Sequence, residues 1–287
     1  ELVNHGMLGF FGSAGLPKER VAEALDRLQK NLGDAAFGVN LIHNINEPGL
    51  EDELVDLFIE KKLHLIEASA FMRLSSAVIR YRIHGIYEDE NGQVCTPNKI
   101  IAKVSRIEVA TRFFDPPPEK ILSQLVDAGT ITPQEAELAR RIPVAQDVTA
   151  EADSGGHTDN RPALSLVPTL MSLRDRKQEE HGYNCNLRIG AAGGIATPAS
   201  AAAAFAMGAA YLLVGSIHQA CVESGTSDRV REMLAGAKQA DVIMAPAADM
   251  FEMGVNVQVL KRGSMFAMRG RKLFDLYRNY ESMDQIP

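Results

Sequence analysis

Two short apolar runs of this sequence end in residues that could hold an anion through the backbone. The first run ends in Gly193-Gly194 and the second in Gly215-Ser216. The Ala-rich segment 197–207 between them has Pro198 near its start and Gly208 just after its end, which predicts a helix. Because glycine lets backbone N–H groups approach a ligand closely, this strand–loop–helix–strand–loop unit predicts a phosphate site. Tight turns alone would also require such glycines.

The segment Glu151–Pro162 is a second group of residues that could do chemistry. It begins at the end of a predicted strand and continues as an almost wholly polar loop that includes Gly155, Gly156 and His157. Histidine titrates near neutral pH and can donate a proton or a hydrogen bond to a carbonyl group. We therefore predict that His157 is an active-site residue, although any one of the seven histidines taken alone is more often structural.

The pattern along the chain predicts the scaffold that positions these residues. Short apolar runs alternate with helical patterns such as 18–32 and 51–61, which is typical of a parallel sheet built from βα units. The predicted strands are Met7–Phe11, Phe37–Ile42, His64–Ala68, Ile100–Ser105, Val148–Ala152, Leu187–Ala191 and Tyr211–Val214.

The predicted fold class is α/β, a TIM (β/α)8 barrel. Seven strands are one short of a closed barrel, and the chain opens on residues that resemble the end of a helix leading into the strand at Met7. We therefore expect the first strand to be missing from this chain. In such barrels catalytic residues follow the carboxyl ends of strands, and the loops after strands seven and eight hold phosphate.

Three segments depart from the regular alternation. An Asn91-Gly92 step within 85–98 predicts an inserted β-hairpin, and 114–143 contains two helical patterns where one would suffice. After Ser216 we find helical patterns and no strand pattern. The sequence therefore predicts a barrel domain over 1–218 and a helical C-terminal segment over 219–287 that packs on the barrel.

Composition sets the outer limits. The 287 residues, 46% of them hydrophobic, suffice for one large domain with a sizeable core. A formal charge of -7 argues against a nucleic-acid surface, and no apolar run approaches the ~18 residues of a membrane span. Three cysteines without metal-ligand spacing predict a reduced, cytoplasmic protein without a metal site. One basic group, which could meet an acidic partner or form a solvated face, consists of Lys261, Arg262, Arg269, Arg271 and Lys272.

The motifs together resemble a known family. Phe37–Leu41, Ser154–His157, Ala191–Ile195 and Gly215-Ser216 occur in the order typical of the nitronate monooxygenase and FMN-dependent enoyl reductase superfamily. The resemblance runs over essentially the whole chain. It implies a TIM barrel that binds FMN, with an N-terminal strand and loop that also contact the flavin.

A narrower resemblance comes from Glu151–Pro162 and Lys261–Arg269. Both segments are similar to the PfaD subgroup, the trans-acting enoyl reductases of polyunsaturated fatty acid and polyketide synthases. The implied phosphate contacts are Gly193, Gly194, Gly215 and Ser216, the implied flavin contacts are Asn40, Lys103, Glu151, Gly155 and Gly156, and His157 would lie on the substrate side.

Two of these residues carry charge on predicted strands. The resemblance implies that Lys103 stabilises negative charge on the flavin, whereas a lysine paired with a neighbouring carboxylate is the alternative. Glu151 would need a partner on an otherwise buried strand, and Lys103 is a candidate for it.

The implied activity is FMN-dependent reduction of 2-enoyl thioesters carried by an acyl carrier protein, with NADPH or NADH as co-substrate. His157 would polarise the thioester carbonyl or relay a proton. The implied partners are the carrier protein and the synthase complex. The resemblance is also compatible with a homodimer. Lys261 to Lys272 would be a docking surface for the acidic carrier.

Three alternatives stay open from the sequence. The first is nitronate oxidation with O2 on the same flavin. The second is another phosphate-binding barrel, such as an inosine monophosphate dehydrogenase relative, but neither Cys185 nor Cys221 is placed as its nucleophile would be. The third is a non-catalytic barrel that serves as a scaffold in a synthase.

Overall fold

The computed structural model describes residues 1–43 and 47–287. Strands and helices alternate over most of this range, as the apolar pattern predicts. The strands of the described residues are β1 (Gly9–Phe11), β2 (Phe37–Ile42), β3 (Leu65–Ser69), β4 (Tyr87–Glu88), β5 (Val94–Cys95), β6 (Lys99–Val104), β7 (Asp147–Glu151), β8 (Gly156–His157), β9 (Arg188–Ala192), β10 (Leu212–Leu213), β11 (Val242–Pro246) and β12 (Asn256–Leu260).

The helices follow the same alternation until the C-terminal part. They are α1 (Lys18–Leu32), α2 (Pro48–Glu60), α3 (Ser76–Ile83), α4 (Ile107–Phe114), α5 (Glu119–Asp127), α6 (Pro133–Ala139), α7 (Ala163–His181), α8 (Pro198–Ala206), α9 (Ser216–Gln219), α10 (Asp228–Ala235) and α11 (Phe266–Asn279), with 3-10 turns at Val3–His5, Gln239–Asp241 and Met283–Gln285. Among the described helices, none combines the length and the apolar character that crossing a bilayer would demand.

The chain divides into two compact units. The first consists of Glu1–Ala150 and Pro168–Gly190, and the second of Glu151–Val167 and Ala191–Pro287. These bounds differ from the predicted division between residues 218 and 219, which stays a prediction.

A parallel sheet forms the centre of the first unit. Its strands lie in the order β1-β2-β3-β6-β7-β9, and the pairs from β1 to β7 are parallel. In the second unit, β10 pairs in parallel with the last two residues of β9. All seven predicted strands are confirmed, with bounds that differ from the prediction by at most two residues.

The sheet of the first unit has one apolar and one partly polar face, because successive side chains of a strand point in opposite directions. Asn40 lies opposite Glu67 in the register, and Lys103 opposite Thr149. The residues that alternate with these along the strands point to the other face and are apolar and buried: Val39, Leu41, Ile66, Ala68, Ile100, Ala102, Val148 and Ala150. Polar side chains near the carboxyl ends of these strands therefore share one face.

Two insertions match the sequence pattern. β4 and β5 form the predicted hairpin, with Tyr87 opposite Cys95, and Gly92 in the turn has a φ of +72° that favours glycine. Helices α5 and α6 fall within 114–143 as predicted.

The C-terminal part corrects the prediction that no strand follows Ser216. α11 is the expected helix, but β11 and β12 pair antiparallel, and β12 also pairs with β8. The local pattern of β12 was overlooked: Val255, Val257 and Val259 alternate with the polar Asn256 and Gln258, which is typical of a strand. Its pairing with β11 joins residues only 10 to 18 positions apart, whereas its pairing with β8 joins residues about 100 positions apart, which no local pattern reveals.

A buried arginine holds the amino ends of two strands that carry predicted site residues. Arg82 in α3 donates from Nη1 to the carbonyl of Asn98, 2.5 Å away, and from Nε to that of Pro143, 3.3 Å away. Asn98 immediately precedes β6, and Pro143 lies just before β7. Burial lowers the pKa of the Arg82 guanidinium to about 10.

We expect Arg82→Ala to lower the free energy of unfolding by about 3 kcal/mol, because it removes the guanidinium donor from two buried carbonyl groups and leaves that of Asn98 only the hydroxyl of Thr96, 3.2 Å away. Urea unfolding followed by circular dichroism measures this loss. Arg80→Ala is the matched control, since Arg80 lies in the same helix but pairs with the exposed carboxylate of Asp56. The control should lose about 0–1 kcal/mol. Equal losses would contradict the special role of the buried bonds.

Candidate active site

Three loops meet in the second unit, each after the end of a strand of the parallel sheet. The backbone N–H of Ala152, after β7, donates to the carbonyl of Ala192 at the end of β9, 2.9 Å away. A Cβ built on Gly155 would lie 2.8 Å from the hydroxyl of Ser216, which follows β10. The loops after β7, β9 and β10 are therefore in direct contact.

Glycine is required where two of these loops approach. A Cβ on Gly193 would lie 2.7 Å from the carbonyl carbon and oxygen of Ala152 and 2.8 Å from the carbonyl oxygen of Asp153. The φ of Gly193 is +89°, and that of Gly194 is +70°, so both adopt a conformation that other residues rarely take. Gly215 differs, because a Cβ there would have no atom within 4 Å.

The two residue pairs predicted to bind phosphate, Gly193-Gly194 and Gly215-Ser216, follow neighbouring strands at their carboxyl ends. β10 pairs with β9 so that Leu213 lies opposite Ala192; Gly193-Gly194 follows β9 directly, and Gly215-Ser216 follows β10 after Val214. The N–H groups of Gly194, Gly215 and Ser216 have no acceptor within residues 1–43 and 47–287. Among the described residues, these three N–H groups are therefore available as donors to a ligand, and the Cβ position of Gly215 is open.

The polar loop after β7 is fixed by Asp153. Its Oδ1 accepts hydrogen bonds from Asn160 Nδ2, at 2.7 Å, and from Gln258 Nε2, at 3.0 Å. The Ser154 hydroxyl donates to Glu151 Oε1 at 3.3 Å. Gln258 lies in β12, so residues far along the chain hold this loop in place, and nothing local in the sequence signals that contact.

His157 is part of a strand and not of an irregular loop, which corrects the prediction for this segment. In β8 it lies opposite Val257 of β12. Its Nε2 lies 3.2 Å from Oδ1 of Asp249, and the two side chains are 48% and 63% exposed. A carboxylate at this distance orients the imidazole ring, as in other histidine–carboxylate pairs. Sequence reasoning missed Asp249 as the partner of His157.

The remaining predicted residues, Asn40 and Lys103, lie in the first unit. Asn40 Nδ2 donates to the carboxylate of Glu67 and to the hydroxyl of Ser69, the latter at 3.2 Å. Glu67 is only 5% exposed. Because it is the one carboxylate on an otherwise apolar strand, the sequence did not indicate its hydrogen bond with Asn40. Lys103 and Glu151 fall in different units, and their pairing stays a prediction.

A second histidine with a carboxylate partner follows β2 directly. His43 Nδ1 lies 2.7 Å from Oε2 of Glu51, whose side chain is almost completely buried. The hydroxyl of Ser75 also donates to Glu51, and the ring of Phe71 lies 5.1 Å from that of His43. The position of this ring is therefore fixed by packing and hydrogen bonding.

One cluster of residue types that can bind a metal lies in the first unit, and the side chain of a lysine pairs with its carboxylates. Asp115, Glu180 and His181 place their ligand atoms close together. Lys177 Nζ lies 2.7 Å from Asp115 and 2.8 Å from Glu180. Burial lowers the pKa of Lys177, but hydrogen bonds to the two carboxylates outweigh it and raise the pKa above its ordinary value. An ion-pair network explains this cluster.

Comparison with known proteins identifies the family. The family model for nitronate monooxygenase matches residues 2–269. The chain belongs to the nitronate monooxygenase family. Its parallel sheet and helices are those of the TIM-barrel-like α/β fold, as the strand pattern predicts.

Components of synthases are among the similar proteins. One polypeptide of the polyunsaturated fatty acid synthase of Thraustochytrium sp. is 49% identical over 283 residues, which cover 98% of this chain and 19% of the relative. The polyketide biosynthesis protein PksE of Bacillus subtilis is 45% identical over 287 residues, covering 100% of this chain and 37% of PksE.

A solved structure is also similar over the whole chain. The enoyl reductase domain of MlnA, from the macrolactin biosynthesis cluster of Bacillus amyloliquefaciens, superposes with a TM-score of 0.96 at 44% identity. The match covers 100% of this chain and 65% of that one. The chain thus spans less than two thirds of each of these three relatives.

We expect Gly193→Ala to destabilise the protein more than Gly194→Ala. Both positions have positive φ, which costs about 1–2 kcal/mol for alanine. Only at Gly193 would the new Cβ also meet a backbone carbonyl, since the nearest atom to a Cβ at Gly194 is 3.8 Å away. The difference in free energy of unfolding should exceed about 1 kcal/mol. Equal losses would mean that strain alone, and not the contact between loops, requires glycine.

Proposed function

We propose that this chain is an FMN-dependent enoyl reductase. It would act in trans on 2-enoyl thioesters of an acyl carrier protein, with NADPH or NADH as co-substrate, in polyunsaturated fatty acid or polyketide synthesis. The observation that carries this proposal is the 44% identity, over the whole of this chain, with an enoyl reductase domain. The synthase proteins among its relatives support the same assignment.

The meeting loops of the second unit fit the phosphate of FMN. Gly194, Gly215 and Ser216 offer three N–H donors without acceptors among the described residues, and Ser216 adds a hydroxyl. The space beside Gly215 is open, and glycine at position 193 allows the loops after β7 and β9 to meet. When bound, FMN supplies hydride transfer between reduced nicotinamide and the β-carbon of the enoyl thioester.

The flavin contacts that we propose are residues at or near strand ends. Gly155 and Gly156 would leave room for close packing against the ring, and Asn40 would accept a hydrogen bond through Oδ1. Lys103 would stabilise negative charge, with Glu151 near the ribityl chain. Support for these roles comes from their places at or just after the ends of β2, β6 and β7.

His157 would act on the substrate. The reaction requires a proton at the α-carbon and stabilisation of charge on the thioester oxygen. With Nε2 held by Asp249, Nδ1 is the atom that would donate a proton or a hydrogen bond. Asp249 would act through His157 by orienting its ring.

Gly215→Val should abolish or strongly weaken FMN binding, because the new side chain fills the open space proposed for the phosphate. Gly215 has negative φ and no neighbour within 4 Å of its Cβ position, so protein stability should change little. Gly225→Val is the matched control, since it is equally open. Flavin absorbance and equilibrium dialysis measure the bound FMN. Stoichiometric FMN in the Gly215 variant would place the phosphate elsewhere.

Nitronate oxidation with O2 is the second candidate, favoured by the name of the family model. Oxidation of an alkyl nitronate and NADPH-dependent reduction of a crotonyl thioester, measured on the same flavin-loaded protein, separate the two activities. We expect the thioester to be the better substrate. Efficient nitronate turnover without thioester reduction would overturn the proposed function.

In the same assay, His157→Ala should slow the half-reaction with the enoyl thioester by about 10²–10⁴-fold while sparing the half-reaction with NADPH. Asp249→Asn should act in the same direction more weakly. His5→Ala is the control, because His5 is exposed and has Glu1 as a neighbouring carboxylate. Stopped-flow absorbance resolves the two half-reactions. Equal slowing of both would assign His157 to cofactor support.

A further inference from the structure

An open cavity of about 400 Å³ lies in the second unit, apart from the three meeting loops. Its walls come from β11, the turn after β12 and α11. Lys261, Arg271 and Lys272 provide cations, and Ile243 and Met268 provide apolar surface. Asp275 also lines the cavity, and the three cations belong to the basic group from Lys261 to Lys272 that the sequence suggests as a docking surface.

The charge around this cavity is opposite to that of the chain. The segment 261–275 contains five basic residues and one acidic residue, a net charge of +4, whereas the whole chain has -7. Arg262 lies 3.6 Å from Asp241, and Arg271 donates to the carbonyl of Met244 at 3.1 Å. Lys261 and Lys272 have no ion-pair partner in the part of the chain that the structure describes. Their positive charge is therefore not neutralised by this unit.

Apolar surface accompanies the basic residues. Met268 is 61% exposed and Leu273 58%, while Ala267 of the same helix is buried. Of these exposed residues Met268 lines the cavity and Leu273 follows the lining residue Lys272 in sequence, and such a mixture of apolar and basic surface is complementary to an amphipathic helix whose polar face is acidic. A free small anion would need the cations but not the exposed apolar residues.

The same three-stranded sheet carries both this cavity and His157. Ile243 of β11 lies opposite Val259 of β12, and His157 of β8 lies opposite Val257. A partner held at the cavity would therefore be positioned by the element that also positions the proposed substrate-side histidine.

We propose that this cavity and its basic rim dock the acyl carrier protein through an acidic amphipathic helix. This inference rests on the proposed function, in which the substrate arrives tethered to a carrier. The net negative charge of the chain would repel an acidic carrier over most of the surface, so the +4 segment supplies the local attraction. The apolar residues of the cavity would bury the carrier's apolar face.

The test measures binding of a phosphopantetheinylated carrier domain from a polyunsaturated fatty acid synthase to the intact flavin-loaded protein. The doubly reversed variant K261E/K272E should raise the Kd about 10–100-fold, and raising ionic strength from about 0.05 M to about 0.5 M should weaken wild-type binding. K120E/R176E is the matched control, since both residues are exposed on helices of the first unit and the change in charge is the same. The control should retain wild-type affinity.

Turnover adds a second readout. For K261E/K272E, kcat/KM should fall for the carrier-bound enoyl thioester and stay unchanged for an enoyl-pantetheine thioester and for NADPH. K261Q/K272Q, with smaller effects in the same order, covers the case in which charge reversal disturbs folding. Equal weakening by the control pair, or a raised KM for NADPH with unchanged carrier affinity, would overturn the proposal. Carrier binding without reduction of any enoyl thioester would instead refute the proposed function and leave the docking surface standing.

Discussion

The close approach of two backbone segments at Gly193 is the constraint on which the candidate active site depends. The carbonyl groups of Ala152 and Asp153 occupy the space that a Cβ at position 193 would need. The hydrogen bond from Ala152 to Ala192 fixes the same approach beside it. Gly155 lies two residues after Asp153 and next to the hydroxyl of Ser216. The loop after β10 therefore contacts the loop after β7 close to the same point. The absence of a side chain at Gly193 thus lets the loops after β7 and β9 meet, with Ser216 of the loop after β10 beside Gly155.

Hydrogen bonds order the polar loop after β7, both within the loop and from β12. The loop is rich in small and polar residues and buries little apolar surface, so these bonds must offset its conformational entropy. Asp153 accepts hydrogen bonds from Asn160 within the loop and from Gln258 in β12, and the β8–β12 pairing extends this connection. The C-terminal part therefore supports this loop through β12, and its Asp249 lies 3.2 Å from Nε2 of His157.

The first unit places polar groups on a buried sheet face, where each must find a hydrogen-bond partner. Asn40, Glu67 and Ser69 satisfy one another across β2 and β3, which makes this arrangement tolerable inside the unit. Their position at the carboxyl ends of parallel strands is where barrels of this kind carry function. Elsewhere these strands are apolar, as stability alone would demand.

Much of the architecture followed from the sequence, because parallel strands buried on both faces form continuous apolar runs between amphipathic helices. All seven such strands, the β4–β5 hairpin and the glycines after β9 and β10 were recognisable from local pattern. Glu67 was not, since one carboxylate in an apolar run gives no sign of the neighbouring strand that will satisfy it. The alternation of Val255, Val257 and Val259 with polar residues is a local strand pattern that was overlooked, whereas the pairing of β12 with β8 joins segments about 100 residues apart and has no local sign.

The histidine site shows the same division most clearly. The sequence by itself determined that His157 follows a strand end and two glycines, because that pattern is local. Only the tertiary structure decided that His157 would pair with Asp249 and that Asp153 would be held by Gln258. Antiparallel pairing of β8 with β12 brings the loop to Gln258, and this register depends on backbone hydrogen bonds between segments that no local pattern connects.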